Sequence, residues 1–234
     1  SNNGNDNTST SSGYTVGVQG KSKQFNRSSD DFVDVGSPIS VSDGDSITIS
    51  CWARFNDINN ERYGLVTGKG TGFDIGLRTI TTGEAQFYHR DKNSNVPKAT
   101  SKPLQNNTWY HLVGAWDDSS DKLKIYLNGV LYDTKTADGV ANDPIDSWDI
   151  GKQIDREDRY LSGEIDDVRI YDRDLNLSEV QELYQWGTRG QDLRERTTTK
   201  NKSDMLGWWK RNETNGSTAY ESSGNGNSSI VNGA

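Results

Sequence analysis

The residue with the clearest capacity for chemistry is Asp166, which lies among apolar residues in the strand-like run Gly163–Tyr171. Because alternate side chains of a strand share a face, Asp166 is predicted to share the core-facing side of Val168 and Ile170. A lone buried carboxylate is costly unless it is hydrogen-bonded or neutralised. Calcium, which takes carboxylate and carbonyl oxygens held by turns, would neutralise it. Hydrogen bonds from backbone amides would stabilise it without a metal, so both explanations stay open.

The only two histidines, His89 and His111, are the next candidates. Each lies in a strand-like run, and neither has a cysteine, a second histidine or a serine motif near it in the sequence. A zinc site or a catalytic triad needs such partners. The glycines are typical of turns and form no phosphate-binding loop. The sequence therefore gives little support to a zinc enzyme, a serine hydrolase or a nucleotide-binding protein.

Short strands must position these residues. In the run 46–55 every second residue from Ile47 to Phe55 is apolar or a cysteine, and such alternation marks a sheet with one face against a core. Asn128-Gly129 predicts a two-residue hairpin turn, and Ser178 with Gln181 predicts a capping box at the start of a helix. Further strand-like runs are 32–35, 64–67, 73–78, 85–89, 109–116, 122–127, 130–134, 163–171 and 205–209.

Composition agrees with this pattern, since only 30% of the 234 residues are hydrophobic and 24 are glycine. Many short strands with close turns predict an all-β fold. We expect a two-sheet antiparallel jelly-roll sandwich with one short helix and a C-terminal extended arm or strand. The single cysteine, Cys51, is expected to be a small buried hydrophobic residue.

Several motifs resemble one family. The run GEIDDVRIY at 163–171, followed by LSEV at 177–180, resembles the C-terminal signature of laminin-G-like domains in the concanavalin A-like lectin/glucanase superfamily. Segments 30–35, 46–55 and 109–129 resemble other strands of the family, so the resemblance covers about residues 20–186. It implies a concanavalin A-like sandwich. It also implies a structural calcium ion where Asp166 meets the turn that contains Asp30.

The same superfamily includes glycoside hydrolases, which need two carboxylates. The related glucanases carry them on one strand as Glu-x-Asp-x-Glu or Glu-x-Asp-x-x-Glu. Glu164 and Asp166 begin that pattern, but Val168 and Arg169 stand where the last carboxylate would be. We therefore expect the chain not to be an enzyme.

The two ends resemble the family in the wrong order. GWWK at 207–210 and YESSGNGN at 220–227 resemble the family's first strand and turn, whereas SNNGND at 1–6 resembles the same turn without its strand. This predicts a sandwich at 1–186 that lacks its first strand, a polar linker at 187–204, and a family-like first strand within 205–234.

An unfilled strand position leaves unpaired backbone groups, so the C-terminal strand should complete a sheet. It can complete its own sheet, the next repeat of an array, or a neighbouring chain. The preferred hypothesis is a non-catalytic structural or adhesive module. It would assemble head-to-tail with identical or homologous domains into a surface array or filament through Leu206, Trp208 and Trp209.

The alternative hypothesis is a calcium-dependent carbohydrate-binding module. Aromatic side chains stack on sugar faces beside polar groups. The charged loop that contains Trp148 is the predicted place for a surface ligand, with candidates Trp148, Asp155, Arg156 and Asp158.

The formal charge of −8 argues against a nucleic-acid partner. No apolar run approaches the roughly 20 residues that cross a bilayer. Asn-x-Ser/Thr sequences mildly favour an extracellular or cell-surface protein, although their number also fits chance. They place candidate glycosylation sites at Asn7, Asn26, Asn106, Asn176, Asn201, Asn212, Asn215 and Asn227.

Overall fold

The computed structural model describes residues 4–6, 14–36, 39–41, 44–58, 62–70, 74–91, 93–138, 145, 147–154, 156, 158–189, 204–209, 218–219 and 222–223. The strands are β1 Gly4–Asp6, β2 Tyr14–Val16, β3 Lys21–Phe25, β4 Val33–Gly36, β5 Ile47–Phe55, β6 Gly64–Lys69, β7 Asp74–Thr79, β8 Glu84–His89, β9 Lys98–Pro103, β10 Trp109–Asp117, β11 Lys122–Leu127, β12 Val130–Thr136, β13 Ser147–Ile150, β14 Gly163–Tyr171, β15 Met205–Trp209 and β16 Thr218–Ala219. One α-helix, α1, spans Leu177–Thr188.

The strands form two antiparallel sheets. Sheet A has the order β16-β1-β4-β13-β6-β7-β8-β9, and sheet B has the order β12-β11-β10-β5-β14-β3-β2, with β15 also paired to β14. The predicted all-β sandwich is confirmed. Among the described residues, no helix is long and apolar enough to span a membrane.

The main core lies between the inner faces of the two sheets and contains Trp116, Trp148 and Trp209, each fully buried. Cys51 is also fully buried in this core, as predicted. A second apolar cluster lies on the outer face of sheet B, where Val180 and Leu183 of α1 pack near β15. Helix α1 therefore covers part of the outer face of sheet B.

Two local predictions, the turn at Asn128-Gly129 and the capping box of the helix, can be compared with the structure. Asn128 and Gly129 have φ of 51° and 77°, which confirms the predicted turn with two positive φ angles. The helix begins earlier than predicted, because Asn176 is its N-cap and forms the capping box with Glu179. The Asn176 side chain accepts from the Glu179 amide, and the Glu179 carboxylate accepts from the Asn176 amide. The predicted box of Ser178 and Gln181 is therefore wrong.

A β-bulge in β14 changes the face on which Asp166 lies. Ile165 and Val168 both belong to the core, and the register shifts between Asp166 and Arg169 because Asp167 has a φ of 50°. Asp166 pairs with Trp52 of β5, outside the core face. The prediction that Asp166 shares the core face of Val168 is therefore wrong, because the extra residue of a bulge reverses the alternation.

The C-terminal strand β15 lies beside β14 of the same chain. Trp209 pairs with Val168 and Trp208 with Arg169, next to the part of β14 that pairs with β3. Helix α1 ends at Thr188, beyond the predicted sandwich boundary at 186. Most of the predicted linker, 190–203, lies outside the described residues.

Candidate functional site

Asp166 is fully buried beside the turn that precedes β3. Its Oδ2 accepts from the Gln19 amide at 2.9 Å, and its Oδ1 has no hydrogen-bond partner among the described residues. Gly17 approaches Oδ2 so closely that a side chain there would collide with it. Burial, with a smaller contribution from Asp167, raises the pKa of Asp166 to about 8. Hydrogen bonds from the backbone of Gln19, Asp167 and Val18 oppose this rise, and a bound cation would also favour the charged form.

The predicted calcium partner, Asp30, lies elsewhere. Asp166 meets residues before β3, whereas Asp30 is exposed in the turn that follows β3. A strand of five residues spans about 13–17 Å, so one ion cannot bridge both carboxylates in this arrangement. Within the described ranges, no group of three or more His, Cys, Asp or Glu side chains is placed to hold a metal.

Glu164 lies on the same outer face of sheet B, and its carboxylate accepts hydrogen bonds from three side chains. Its carboxylate accepts from Ser22 at 2.9 Å, from Thr15 at 2.7 Å and from the Arg54 guanidinium. The side chain is only 5% exposed. An acid–base catalyst exchanges its proton with substrate, whereas this carboxylate is held by three protein donors. Its geometry is that of a structural residue.

A buried ion pair within β14 accepts a hydrogen bond from β15. Arg169 donates two hydrogen bonds to Asp167 Oδ1 and one to Oδ2, at 2.8–3.0 Å. The Trp208 indole N–H donates to the same Oδ1 at 2.6 Å, and the Arg169 guanidinium lies 4.7 Å from the centre of the Trp208 ring. The predicted assembly residues Trp208 and Trp209 are thus buried within their own chain, and Leu206 packs against the main core.

His111 lies in an aromatic stack on the outer face of sheet B. Its ring is 5.2 Å from Trp52 and 6.2 Å from Tyr184, and its Nε2 is 3.0 Å from the Ser50 hydroxyl. It is 1% exposed, and its Nδ1 has no hydrogen-bond partner among the described residues. Burial lowers the pKa of His111 to about 3. A neutral, buried ring of this kind stabilises the fold.

This environment predicts an acid-sensitive fold. An unfolded histidine, with a pKa near 6.5, takes up a proton before folded His111 does. The free energy of unfolding should therefore fall by about 1.4 kcal/mol per pH unit between 6.5 and 3, relative to a variant without the group. Urea unfolding of the native chain and of His111→Gln over this pH range measures the difference. Parallel pH profiles for the two proteins would contradict the prediction.

Of the predicted ligand residues, one lies in the core and two lie on the surface. Trp148 is fully buried and donates to the Ile39 carbonyl at 2.8 Å, which excludes its ring from contact with a surface ligand. Arg156 and Asp158 are exposed on the loop beside sheet A. Asp155 lies outside the described residues.

The outer face of sheet A holds a fixed arginine that the sequence analysis missed. The Arg78 Nε and Nη2 atoms donate to Gln86 Oε1 at 3.2 and 3.1 Å. The Arg78 guanidinium lies 4.3 Å from the centre of the Tyr88 ring. Loop 152–160 lies beside this face, because the Gly64 and Gln153 amides both donate to the Arg159 carbonyl. The loop is closed by a bridge between Lys152 and Tyr160.

Three predicted glycosylation asparagines are described. Asn106 is exposed, although its side-chain oxygen accepts from the Ile58 amide. Asn26 and Asn176 cap a 3-10 turn and the helix α1 through their side chains. The candidates Asn7, Asn201, Asn212, Asn215 and Asn227 lie outside the described residues.

A laminin G family model, described as the concanavalin A-like lectin/glucanases superfamily, matches residues 27–181, which is more than half of the chain. The chain belongs to this superfamily. The resemblance seen in the sequence is thereby confirmed, and the sheets described above are those of a concanavalin A-like domain.

Three proteins of known sequence or structure are similar to this concanavalin A-like domain. Botulinum neurotoxin type X of Clostridium botulinum is 26% identical over 148 residues, which is 61% of this chain and 11% of the toxin. Domain 4 of AbnA, a GH43 extracellular arabinanase of Geobacillus stearothermophilus solved with arabinotriose, has a TM-score of 0.61 and 21% identity, over 76% of this chain and 82% of that one. The binding domain of botulinum neurotoxin serotype G has a TM-score of 0.59 and 17% identity, over 78% of this chain and 46% of that one.

The sequence match and the structural matches support different conclusions. The chain spans only a small part of the neurotoxin it matches in sequence. The structural neighbours are below 25% identity, so they show the fold alone.

Proposed function

We propose that this chain is a non-catalytic carbohydrate-binding module whose ligand lies on the outer face of sheet A. The observation that carries the proposal is the fixed Arg78 guanidinium, stacked on Tyr88 and bonded to Gln86. Tyr88 is itself fully buried, so it positions Arg78 and presents no ring surface to a sugar. Sugar sites combine a few oriented polar groups of this kind with aromatic surface. The arabinanase domain of similar fold, solved with arabinotriose, supports the sugar class.

The outer face of sheet B offers less room for such a ligand. Helix α1 packs on it, and Trp186 of the helix shares an apolar cluster with Trp208 of β15. Beside loop 152–160, in contrast, Phe32 is half-buried, and the Lys152 amine lies 4.6 Å from the centre of its ring. A partly open aromatic ring next to a cation suits a sugar ring with its hydroxyl groups.

The absence of catalysis is part of the proposal. The strand β14 carries Glu164 and Asp166, but Glu164 is held by three donors and Asp166 by the Gln19 amide. Neither carboxylate is exposed to a substrate. In this account the chain binds a glycan outside the cell or at its surface.

The test is affinity electrophoresis of the intact chain through gels that contain a panel of neutral and acidic polysaccharides. We expect retardation by at least one polymer, relative to an inert reference protein. Migration unchanged in every gel would contradict the proposed function.

We also propose that calcium stabilises the fold through Oδ1 of Asp166. The fully buried oxygen without a described partner fits a cation, which would supply charge neutralisation there. Asp30 is too far from Asp166 to share this ion, so backbone oxygens would complete the site.

This proposal predicts opposite effects of one substitution. In a chelator at pH 7, Asp166→Asn should raise the free energy of unfolding by about 1–3 kcal/mol, because it removes a buried carboxyl group whose raised pKa makes folding take up a proton at that pH. Added calcium should stabilise the native chain and leave the variant unchanged. Urea unfolding with calcium or chelator measures both effects. An equal response of the two proteins to calcium would rule out the ion at Asp166.

A second candidate function is assembly by exchange of β15. The strand that closes sheet B comes from the end of the chain and follows the polar segment 190–203. An identical strand from a neighbour would form the same ladder on β14 and the same bond from Trp208 to Asp167. Exchange of this kind joins identical or homologous chains head-to-tail.

A further inference from the structure

Five basic side chains gather around the outer face of sheet A. Arg78 comes from β7, Lys98 from β9, Arg62 from the segment before β6, and Arg156 and Arg159 from loop 152–160. We call these five residues the cationic patch. Arg62, Lys98 and Arg156 are exposed, Arg159 is half-buried, and Arg78 is 7% exposed. The patch stands out because the whole chain carries a formal charge of −8.

The patch has little acidic compensation among the described residues. Within the described part of the chain, Arg62, Arg78, Lys98 and Arg156 form no ion pair within 4.0 Å. Among the described carboxylates, Arg159 meets Asp158 alone, at 4.0 Å, and the Asp158 side chain is 80% exposed. The nearby carboxylate of Asp74 is paired with Arg90 at 3.0 Å. A nearly buried guanidinium that meets no carboxylate in the described part of the chain is costly, and an anionic ligand would relieve that cost.

The members of the patch also repel one another. Burial lowers the pKa of Arg78, and Arg62 and Arg159 lower it further. Burial lowers the pKa of Lys98, with Arg78 and Arg62 as additional causes. The pKa of Arg159 is lowered by burial and then by Arg156 and Arg62. Charges close enough to affect each other in this way act together on one ligand.

We infer that the cationic patch binds the carboxylate groups of an acidic polysaccharide, a polyuronate. The inference rests on the proposed function and names its ligand class. Planar guanidinium groups suit carboxylates, since they present two parallel donors. Arg78 is held in place by Gln86 and Tyr88, so little side-chain entropy is lost when it binds an anion.

The test compares polymers that differ only in charge. The intact chain is titrated with polygalacturonate and with its fully methyl-esterified form, which has the same backbone and no carboxylate charge. We expect at least about tenfold tighter binding to the free acid at low salt, with the preference falling as salt is added. Equal affinity for the two polymers would overturn the inference while leaving glycan binding intact. Binding to neither polymer, but to another neutral glycan, would overturn it in the same way.

Exposed members of the patch provide the variants. Lys98→Gln with Arg156→Gln removes two exposed charges without touching the core, and we expect about tenfold weaker binding to polygalacturonate. Lys122→Gln with Arg189→Gln removes the same charge from β11 and the end of α1, and it should change affinity less than twofold. Equal losses in both double variants would show attraction by net charge alone and would overturn the assigned site.

A parallel titration tests whether the patch prefers carboxylate to sulfate groups. Dextran sulfate carries sulfate groups on a neutral backbone, and we expect it to bind less tightly than polygalacturonate of similar charge. Tighter binding to the sulfated polymer, lost in the Lys98→Gln and Arg156→Gln double variant, would overturn the carboxylate preference. Complete failure of every polysaccharide to bind would instead contradict the proposed function itself.

Discussion

Asp167→Ala is expected to lower the free energy of unfolding by about 3–5 kcal/mol, the largest effect of any single substitution at the outer face of sheet B. Arg169 is 2% exposed, and Asp167 supplies its carboxylate partner through three hydrogen bonds. Removal of the carboxylate would leave a guanidinium buried without an ionic partner. It would also leave the Trp208 indole N–H without its acceptor. Urea unfolding, followed by tryptophan fluorescence, measures the change.

Two further variants separate the energetic cost of the unpaired charge from the loss of the hydrogen bond to Trp208. Asp167→Ala combined with Arg169→Leu removes both charges, so it should recover much of the stability lost in the single variant. Trp208→Phe keeps an aromatic ring near Arg169 but deletes the N–H donor and part of the buried indole, so it should cost about 2 kcal/mol, less than Asp167→Ala. If Asp167→Ala is as stable as the native chain, the buried pair does not hold β15 in the way described.

Trp209→Ala is expected to lower the free energy of unfolding by about 3–5 kcal/mol. Trp209 is fully buried in the main core although it comes from the last described strand of sheet B. Its removal leaves a cavity between the sheets, and cavities of this size are costly because the surroundings relax only partly. Thermal and urea unfolding of the variant measure the loss. A loss below about 1 kcal/mol would show that β15 is not part of the folded core.

The same strand decides between a closed domain and an exchanged one. If β15 completes its own chain, the urea midpoint of the native protein is independent of protein concentration, and light scattering gives the mass of one chain. If β15 exchanges between chains, the midpoint rises with concentration and Trp209→Ala dissociates the assembly. The first result supports the closed arrangement of the structure. The second supports assembly by strand exchange.

The sequence predicted most of the central strands because their alternation was strict. The run 46–55 and the hairpin at Asn128-Gly129 fall where the structure has β5 and the turn between β11 and β12. The strands β1, β2 and β16 have two or three residues each, which is too short for alternation to indicate them. The strands β1 and β16 also pair with each other from opposite ends of the chain, so only the tertiary fold brings them together.

The bulge at Asp167 explains why the face of Asp166 was predicted wrongly. A positive φ at a residue other than glycine leaves no mark in composition, yet it reverses every later side chain in the alternation. The capping box failed for a related reason, since Asn176 and Ser178 are both good N-caps and only the bond from Asn176 to Glu179 decides between them.

The cationic patch was missed because its members come from separate segments. Arg62, Arg78 and Lys98 are separated in sequence by a strand or more, and only sheet A brings them together. Arg156 was predicted as a ligand residue from the charge of its loop alone.

The most direct test of the account is hydrogen–deuterium exchange of the intact chain with and without an oligosaccharide of the polymer that retards it most. A ligand on the outer face of sheet A should slow exchange in β7, β8 and residues 152–160, the elements that carry Arg78, Tyr88 and Arg159. Helix α1 and β15 should exchange at unchanged rates. Slower exchange confined to α1 and β15, or no change anywhere in the chain, would contradict a binding site on the outer face of sheet A.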